Sequence, residues 1–283
     1  MLETRPDRQL YDPALGQAAA AGRLAGRRVL VVGAGQRPSP PDEPEPPVGN
    51  GRAIAVLCAR EGARVCCADL DLAGAKETAA WITREGGFAS AVAADVSQPD
   101  AIEAMVQAAD ETLGGLDGLV VNVGIANRNG FGRETADAWD AVQNVNLRAH
   151  MLSAQAAAAR MPVGASMVFV SSTASISPQS GLPAYETSKA GLAALARAVA
   201  YAGQPQGLRA NVIAPGLIDT PLGRDASRAR PARAARPLPF GRQGTAWEVA
   251  HAILFLLSAE SSYVNGQVLI ADGGLSIGAV RSA

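Results

Sequence analysis

The sequence predicts a doubly wound α/β fold, in which about seven parallel strands form one sheet with helices on both faces. Two observations predict it. Short apolar runs of strand length alternate with longer stretches of helical pattern along almost the whole chain, and strand–helix–strand units of this kind need right-handed crossovers between parallel strands. Aromatic residues make up only 4% of the chain, so Ala, Val, Leu and Ile must fill the core.

The composition and length of each run predict the strands and helices, which follow here in chain order. A run of β-branched and leucine residues at Arg28–Val32 predicts the first buried strand. Similar runs predict strands at Arg64–Ala68, Ala89–Ala93, Leu119–Asn122, Met167–Ser171, Leu208–Ile213 and Gln267–Ile270. Helical patterns lie between them, at Gly51–Glu61, Leu72–Glu85, Pro99–Leu113, Thr135–Arg160, Ala184–Ala202 and Thr245–Ser258.

Three segments interrupt this alternation. Residues 1–25 precede the first strand and are expected to be a loosely held N-terminal extension, helical or mobile around Ala18–Ala21. Residues 37–48 contain six prolines and three acids and should form an extended loop. Residues 221–242 carry six arginines and are expected to form a long connection of poor regularity. Residues 26–283, with both loops, are expected to be a single domain.

Composition excludes several classes of protein. The 25 Lys and Arg residues balance 26 Asp and Glu, so no basic excess indicates a nucleic-acid or membrane-surface partner. Three cysteines, with His150 and His251 far from them, give neither a disulfide framework nor a metal site. No targeting segment is apparent, and no apolar run reaches the ~18 residues that a membrane span requires. These features predict a cytoplasmic protein.

A glycine-rich turn follows the first strand. Gly33 and Gly35 lie at the strand end, and Gly49, Asn50 and Gly51 open the next helix, so removal of the proline-rich stretch leaves G-A-G-Q-G-N-G. Glycines at such a turn allow a tight bend, a close approach of backbone to a pyrophosphate, and close helix–strand packing. The helix N-terminus offers N–H groups to the phosphates. The pattern predicts a dinucleotide site, and a glycine-rich turn without a ligand is the alternative.

An acid at the end of the second strand supports the dinucleotide site. A carboxylate at Asp69 can accept hydrogen bonds from an adenosine ribose and would repel a 2′-phosphate, which favours NAD(H) over NADP(H). A solvated loop acid is the alternative. The nearby competitor, Asp71, is expected to cap the helix that begins at Leu72. Asp95 and Val96 follow the third strand and are placed to meet the adenine edge.

Tyr185 and Lys189 carry the most informative chemical signal. At positions i and i+4 of a helix they share one face, so the ammonium can lie within a few ångströms of the phenol. A lysine cation at ~4 Å, with an effective dielectric constant of ~20, offers about 4 kcal/mol to a tyrosinate, or roughly three pKa units. That shift would make the phenol useful for proton transfer to and from an alcohol or carbonyl oxygen. The spacing alone also occurs by chance.

Further polar residues lie at the predicted strand ends. Ser172 follows the fifth strand, in the crevice where doubly wound sheets bind ligands. Asn122 and Gly124 follow the fourth strand, and Asn146 lies within a long helix. Residues 215–220, which include a Pro-Gly pair, leave the sixth strand.

With these residues together, and with Asp272-Gly273-Gly274, the chain resembles the short-chain dehydrogenase/reductase family from about Leu24 to Leu275. The resemblance implies a Rossmann fold and reversible hydride transfer between NAD(H) and a secondary alcohol or ketone. It also implies a homotetramer, with a dimer as the alternative, formed through the helices at 135–160 and 184–202. Their Ala-rich faces, Ala154–Ala159 and Ala193–Ala200, would allow close approach of subunits.

The resemblance implies a role for each matching position. Tyr185 would be the general acid/base, with Lys189 as its pKa-lowering partner and as the holder of the nicotinamide ribose. Ser172 would polarise the substrate oxygen, and Asn146 would anchor a water chain that leads to Lys189. The implied cofactor contacts are Gly33, Gly35, Gly49, Asn50, Gly51, Asp69, Leu70, Asp95, Val96, Asn122, Gly124, Tyr185, Lys189, Pro215, Gly216, Ile218 and Thr220.

The chain departs from the family pattern in three places. Val32 stands where the family usually has Thr, and Val121-Asn122-Val123-Gly124 replaces its N-N-A-G turn. Both changes alter hydrogen bonds of the turns rather than the hydride-transfer chemistry. The proline-rich insertion should rise beside the pyrophosphate, where it could cover the cofactor or meet a neighbouring subunit. A solvated excursion without a role is the alternative.

The substrate is expected to depend mainly on residues 221–242 and on the loops after Gly124 and Ser172. The arginines of this segment could bind a carboxylate, a phosphate or an acyl carrier protein, or they could simply be solvated. The arginines are Arg224, Arg228, Arg230, Arg233, Arg236 and Arg242. Apolar neighbours suggest a partly hydrophobic pocket for a cyclic or medium-sized alcohol; they are Leu182, Pro183, Leu217 and Leu222.

Two alternative functions remain open. A 3-oxoacyl-carrier-protein reductase is one, although that activity usually prefers NADPH and Asp69 argues against it. A catalytically silent dinucleotide-binding regulator is the other, supported only by the divided glycine motif and Val32.

Overall fold

In the computed structural model, which describes residues 10–43, 45–177 and 180–278, seven parallel strands form one sheet. In spatial order they are β3 (Phe88–Ala93), β2 (Arg64–Asp69), β1 (Arg28–Val32), β4 (Gly118–Val121), β5 (Ser166–Val170), β6 (Arg209–Pro215) and β9 (Val268–Ala271). Two-residue strands β7 (Ile218–Asp219) and β8 (Gly244–Thr245) pair separately. The predicted doubly wound fold is confirmed. Residues 1–9 of the predicted extension, Pro44 of the predicted insertion, and residues 178–179 and 279–283 of the predicted domain lie outside the described residues.

The helices follow the predicted order with small shifts at their ends. They are α1 (Asp12–Leu15), α2 (Asn50–Arg60), α3 (Leu72–Arg84), α4 (Pro99–Leu113), α5 (Ala136–Gln143), α6 (Ala149–Ala158), α7 (Pro183–Ala202), α8 (Pro221–Arg228), α9 (Pro231–Ala234) and α10 (Ala246–Leu257). Asp71 caps α3 by accepting from the N–H of Ala73, as expected. Thr245 and Glu248 form a reciprocal capping box at the start of α10.

Two layers of helices bury the sheet. Helices α2, α3 and α10 pack on one face, and α4, α6 and α7 on the other. Val31 lies in the middle of the sheet, between Cys67 of β2 and Val120 of β4. All three are fully buried, which explains why the strand sequences are continuously apolar.

The predicted single helix at Thr135–Arg160 is interrupted. A π-helical turn at Asn144–Arg148 separates α5 from α6. Such a turn adds one residue to the backbone hydrogen-bonded ring and re-aims the side chains around it. Hydrophobic periodicity carries no clear signal for one extra residue, so the sequence predicted a continuous helix.

The predicted irregularity of residues 221–242 is wrong for the first half of the segment. Helices α8 and α9 both begin with proline, at Pro221 and Pro231. Proline is favoured at the first helical position because its missing N–H is not needed there and its φ is already helical. Thr220 caps α8 by accepting from the N–H of Gly223. These prolines start helices instead of preventing them.

The described part of the N-terminal extension is held against the core, contrary to expectation. Leu24 is only 1% exposed, and its N–H donates to the carbonyl of Glu61. The carboxylate of Glu61 accepts from the backbone N–H groups of Ala21 and Arg23. Helix α1 packs beside α10, where Thr245 donates to the carbonyl of Ala14. Residues 18–21 are not helical.

A Gly51→Ala substitution should destabilise the fold, since a Cβ there would lie 1.7 Å from the carbonyl oxygen of Gly33. We expect the free energy of unfolding to fall by about 2 kcal/mol or more, measured by urea denaturation. Gly49→Ala is the matched control, because its nearest heavy atom would be Gln36 Cγ at 3.6 Å. It should cost less than about 1 kcal/mol. Equal losses in both variants would contradict this account of the helix–strand contact.

Candidate functional site

The predicted site residues come from strand ends that meet at one edge of the sheet. Because the strands are parallel, their carboxyl ends lie together, where open α/β sheets bind ligands. The residues after these ends are Gly33 after β1, Asp69 at the end of β2, Asn122 after β4, Ser172 after β5 and Gly216 after β6.

The glycine turn after β1 is tightly packed. Gly33 has a φ of 81°, which favours glycine, and its carbonyl accepts from Asn122 Nδ2 at 3.1 Å. The N–H of Gly35 donates to Asp69 Oδ2 at 2.8 Å. Asp69 therefore lies against the glycine turn, which is where a carboxylate that binds an adenosine ribose would lie.

The start of α2 fits the pyrophosphate of a dinucleotide. No side chain of the described residues caps this helix, so the N–H groups of its first turn remain for another acceptor. Asn50 Oδ1 is a buried oxygen without a partner among the described residues; as an acceptor it suits a ribose hydroxyl and not the pyrophosphate oxygens. The N–H of Gly49 bonds to Gln36 Oε1 at 2.9 Å and closes the base of the proline-rich insertion. Gly33, Gly35, Gly49, Asn50 and Gly51 would hold the cofactor here.

The proline-rich insertion is fastened to α8. Glu43 is paired with both Arg224 (2.7 Å) and Arg228 (2.8 Å), and its side chain is only 12% exposed. Arg37 lies 3.3 Å from Asp225. Glu43 and Arg37 therefore tie the insertion to the segment that was expected to select the substrate, while Asp42 and Glu45 are exposed. Whether the insertion has a role stays open.

Asn146 clamps the chain that follows Gly124. It lies fully buried in the π-helical turn, where Oδ1 accepts from the N–H of Ile125 at 2.8 Å and Nδ2 donates to the carbonyl of Ile125 at 2.9 Å. Nδ2 also lies 3.0 Å from Ser188 Oγ. The turn thus aims Asn146 between β4 and α7.

Lys189 is buried without an acid partner among the described residues. Its side chain is 4% exposed, and Nζ donates to the carbonyls of Val170 (2.8 Å) and Val123 (3.3 Å). Burial lowers the pKa of Lys189 to about 7. A Cβ at Gly124 would lie 3.1 Å from Nζ, so glycine is needed for this close approach.

The expected lowering of the tyrosine pKa by Lys189 is not found. Burial raises the pKa of Tyr185 above its ordinary value, and this effect outweighs the others. The hydroxyl of Ser172 and the charges of Arg230 and Arg233 act in the opposite direction. Lys189 is not among the groups that shift the pKa of Tyr185, and its ammonium donates to the carbonyls of Val170 and Val123. The hydroxyls of Ser172 and Tyr185 lie within hydrogen-bond reach of each other.

The remaining predicted cofactor residues lie along the same edge. Leu70 is exposed after β2, Asp95 is exposed after β3, and Val96 is buried in the core. Gly216 packs against Asp272, where a Cβ would lie 2.6 Å from that side chain. The remaining three are Pro215 at the end of β6, Ile218 in β7, and Thr220, whose hydroxyl caps α8.

Three features of this site escaped the sequence analysis. Ser188 bridges Asn146 and the carbonyl of Tyr185, and its position three residues after the tyrosine was the available signal. His150 is fully buried, and burial and the charge of Lys189 together lower its pKa well below the ordinary range. Arg230 and Arg233 lie near Tyr185, which nothing in the spacing of the arginines indicated.

The described residues contain no group of three metal-ligating side chains. Among them, no helix is long and apolar enough to cross a membrane.

Known proteins resemble the chain over most of its length. The family model described as enoyl-(acyl carrier protein) reductase matches residues 48–276. The chain is 34% identical over 237 residues to 2-(S)-hydroxypropyl-CoM dehydrogenase 3 of Xanthobacter autotrophicus, covering 81% of this chain and 92% of that protein. It is 34% identical over 261 residues to a 3-oxoacyl-[acyl-carrier-protein] reductase of Thermotoga maritima, covering 90% and 100%. The chain belongs to the short-chain dehydrogenase/reductase family.

A solved structure agrees with this assignment. A short-chain dehydrogenase from Mycobacterium smegmatis superposes with a TM-score of 0.76 at 28% identity, covering 94% of this chain and 97% of that one. The protein is thus an oxidoreductase of the short-chain dehydrogenase/reductase family, whose members bind nicotinamide cofactors.

The Ala-rich faces of this short-chain dehydrogenase/reductase are only partly exposed. Ala154 and Ala157 of α6 and Ala196 and Ala200 of α7 are buried in the core of the same chain, whereas Ala159, Ala194 and Ala198 are exposed. Only the exposed members of each face remain for contact between subunits, and the oligomeric state stays a prediction.

Lys189→Met should change the pH dependence of stability in the cofactor-free protein. Because the lysine pKa is about 7 when folded and higher when unfolded, the unfolded chain binds more protons between those values. Wild-type stability relative to the variant should therefore rise by about 2 to 3 kcal/mol between pH 7 and 9, measured by urea denaturation. Lys76→Met removes an exposed lysine of α3 and should show no such change. A Lys189→Met difference that is independent of pH would refute the lowered pKa.

Proposed function

We propose that this enzyme transfers a hydride reversibly between NAD(H) and a secondary alcohol or ketone, with Tyr185 as the general acid/base. The observation that carries the proposal is the facing pair of hydroxyls, Tyr185 and Ser172, at the edge of the sheet that also carries the glycine turn. This pair supports the proposal because it would supply a proton acceptor and a hydrogen-bond donor for the substrate oxygen.

The residues divide the chemistry as follows. Ser172 Oγ accepts from the N–H of Ala174 at 3.2 Å, which leaves its proton to donate to Tyr185 or to a substrate oxygen. In alcohol oxidation the phenolate form of Tyr185 accepts the hydroxyl proton, while the hydride leaves the carbon that bears that hydroxyl; in reduction the phenol returns the proton to the oxygen and the hydride returns to the carbon. A bound nicotinamide supplies the hydride acceptor and donor. Lys189, held by strand carbonyls beside Gly124, would contact the nicotinamide ribose and pass protons onward.

We further propose that Asn146 acts as a positioning residue. Its amide fixes Ile125 and reaches Ser188, whose hydroxyl bonds to the carbonyl of Tyr185. These bonds hold the turn after β4 and the start of α7 in a fixed relation, which sets the site geometry. The water chain implied by the family resemblance would begin here.

Tyr185→Phe tests the general acid/base role. Oxidation of a panel of secondary alcohols with NAD⁺, followed by NADH absorbance, should slow by roughly 10²- to 10⁴-fold, while the Kd for NADH stays unchanged. Tyr201→Phe is the matched control, because Tyr201 lies at the end of the same helix and is 77% exposed. Turnover of Tyr185→Phe at a rate close to that of wild type refutes the role. A wild type that binds NADH but turns over nothing in the panel points to the silent regulator.

NAD(H) is the proposed cofactor because Asp69 lies against the glycine turn, where a 2′-phosphate would meet a carboxylate. Asp69→Ser should raise the ratio of kcat/KM for NADP⁺ over NAD⁺ by about 10- to 100-fold, or about 1.4 to 2.8 kcal/mol. Asp71→Ser keeps a capping hydroxyl on α3 and should leave the ratio unchanged. A wild type that prefers NADPH would contradict the assignment and favour a 3-oxoacyl-carrier-protein reductase, the activity named for the Thermotoga maritima relative.

The quaternary structure and location are proposed on lesser grounds. We propose a homotetramer, with a dimer as the alternative, because Met151 of α6 and Tyr201 of α7 remain exposed on the helices expected to form the interface. A cytoplasmic location and a single catalytic domain over residues 26–283, preceded by the extension at 1–25, complete the proposal.

A further inference from the structure

Of the six arginines of residues 221–242, three form ion pairs with described acids, and the other three, Arg230, Arg233 and Arg236, do not. Arg224 is bonded to Asp219 and Glu43, Arg228 to Glu43 and Asp225, and Arg242 to Glu248. These three cations are neutralised in place by acids of the same chain.

Arg230 and Arg233 differ from them, since neither forms an ion pair with any described acid. Arg230 Nη1 lies 3.4 Å from the carbonyl of Ser180, and Arg233 Nη1 donates to the carbonyl of Gly223 at 3.1 Å and to Ser227 Oγ. Neutral oxygens orient both guanidinium groups without cancelling their charges.

Both uncompensated arginines lie beside the reacting hydroxyls. Ser180, which Arg230 reaches, belongs to the loop that leads into α7, and Glu186 of that helix accepts hydrogen bonds from Ser180. The charges of both arginines lower the pKa of Tyr185, and the phenolate charge in turn raises the pKa of Arg233. The hydrogen bond from Arg230 to the carbonyl of Ser180 thus joins the arginine pair to the loop that precedes Tyr185 in the chain.

The two arginines also repel each other. Burial lowers the pKa of Arg233 first, and the charge of Arg230 lowers it further. Two partly buried like charges without a counter-charge destabilise the folded state, and a bound anion would relieve that repulsion. A guanidinium presents a planar fork of donors that matches a carboxylate or a phosphate.

We propose that Arg230 and Arg233 bind an anionic group of the substrate, so that the enzyme acts on secondary alcohols or ketones that carry a carboxylate or a phosphate. This inference rests on the proposed function and specifies its substrate class. The anion binds between α9 and the loop before α7, and the hydroxyl-bearing carbon lies at Tyr185 and Ser172.

The test compares matched substrates in the holoenzyme with saturating NAD⁺. A series of secondary hydroxy acids, with the carboxylate two to four carbons from the hydroxyl, is assayed beside the methyl ester of each acid. Corresponding hydroxyalkyl phosphates form a second series and distinguish the two anions. Wild type should prefer the anion of at least one pair over its ester by about 10-fold or more.

Arg233→Gln and Arg230→Gln should each raise the KM for the preferred anion by about 10- to 100-fold, with the KM for the ester changed by less than about 3-fold. Any change in kcat should be alike for anion and ester, because both arginine charges lower the pKa of Tyr185 whichever substrate is bound. Arg236→Gln is the matched control, because it removes an arginine from the same segment that does not affect Tyr185. Thermal unfolding confirms that each variant is folded.

Several outcomes would overturn the inference. An anion site would be excluded if wild type preferred the ester throughout both series. It would also be excluded if Arg233→Gln raised the KM for the anion and the KM for the ester by the same factor. A parallel rise in the Kd for NADH would assign the arginines to the cofactor.

A second measurement separates the anion site from the proposed function. Binding of saturated carboxylates without a hydroxyl, and of inorganic phosphate, is measured by calorimetry in the NADH complex. If no alcohol is oxidised, the proposed function fails, but Arg233-dependent binding still supports the anion site and its absence refutes it.

Discussion

The burial of one ammonium group constrains the whole site. Lys189 bonds to the carbonyls of Val170 and Val123, which lie at the ends of two adjacent strand segments, and no described acid neutralises it. A buried cation without a counter-charge costs several kcal/mol, which the apolar sheet and its two helix layers must offset. The lowered pKa follows directly from this burial. The glycine at 124, the clamp formed by Asn146 and the Ser171 bond to the lysine carbonyl all serve to hold that one group.

The position of Lys189 changes how tyrosine activation is understood. In the cofactor-free enzyme the phenol is made less acidic by burial, and the groups that counter this are Ser172 and two arginines from the segment after β6. In the proposed mechanism, proton transfer at Tyr185 would therefore depend on the charge of any molecule bound beside those arginines. A molecule that brings charge into the cleft would alter both its own binding and the acidity of the tyrosine.

The sequence predicted the sheet well because its strands are buried on both faces, so their continuous apolar runs are unambiguous. It also predicted that Tyr185, Ser172, Asn146 and Lys189 lie in one region of the fold. Their catalytic roles stay predictions. It missed the π-helical turn, since one extra backbone residue leaves no compositional trace. It misjudged the tyrosine because the i, i+4 spacing specifies proximity along a helix but not how deeply either group is buried. Contacts between distant segments, such as Glu43 with Arg224, have no local signal at all.

The hydrogen bond between Gln36 and Gly49 joins the two ends of the proline-rich excursion. The twelve residues of the insertion therefore begin and end close together in space, and β1 and α2 on either side meet as they would without the insertion. An ancestral chain could have acquired or shed such a module without repacking its interior. The same junction offers protein engineers a place to graft a reporter peptide directly above the nucleotide-binding turn.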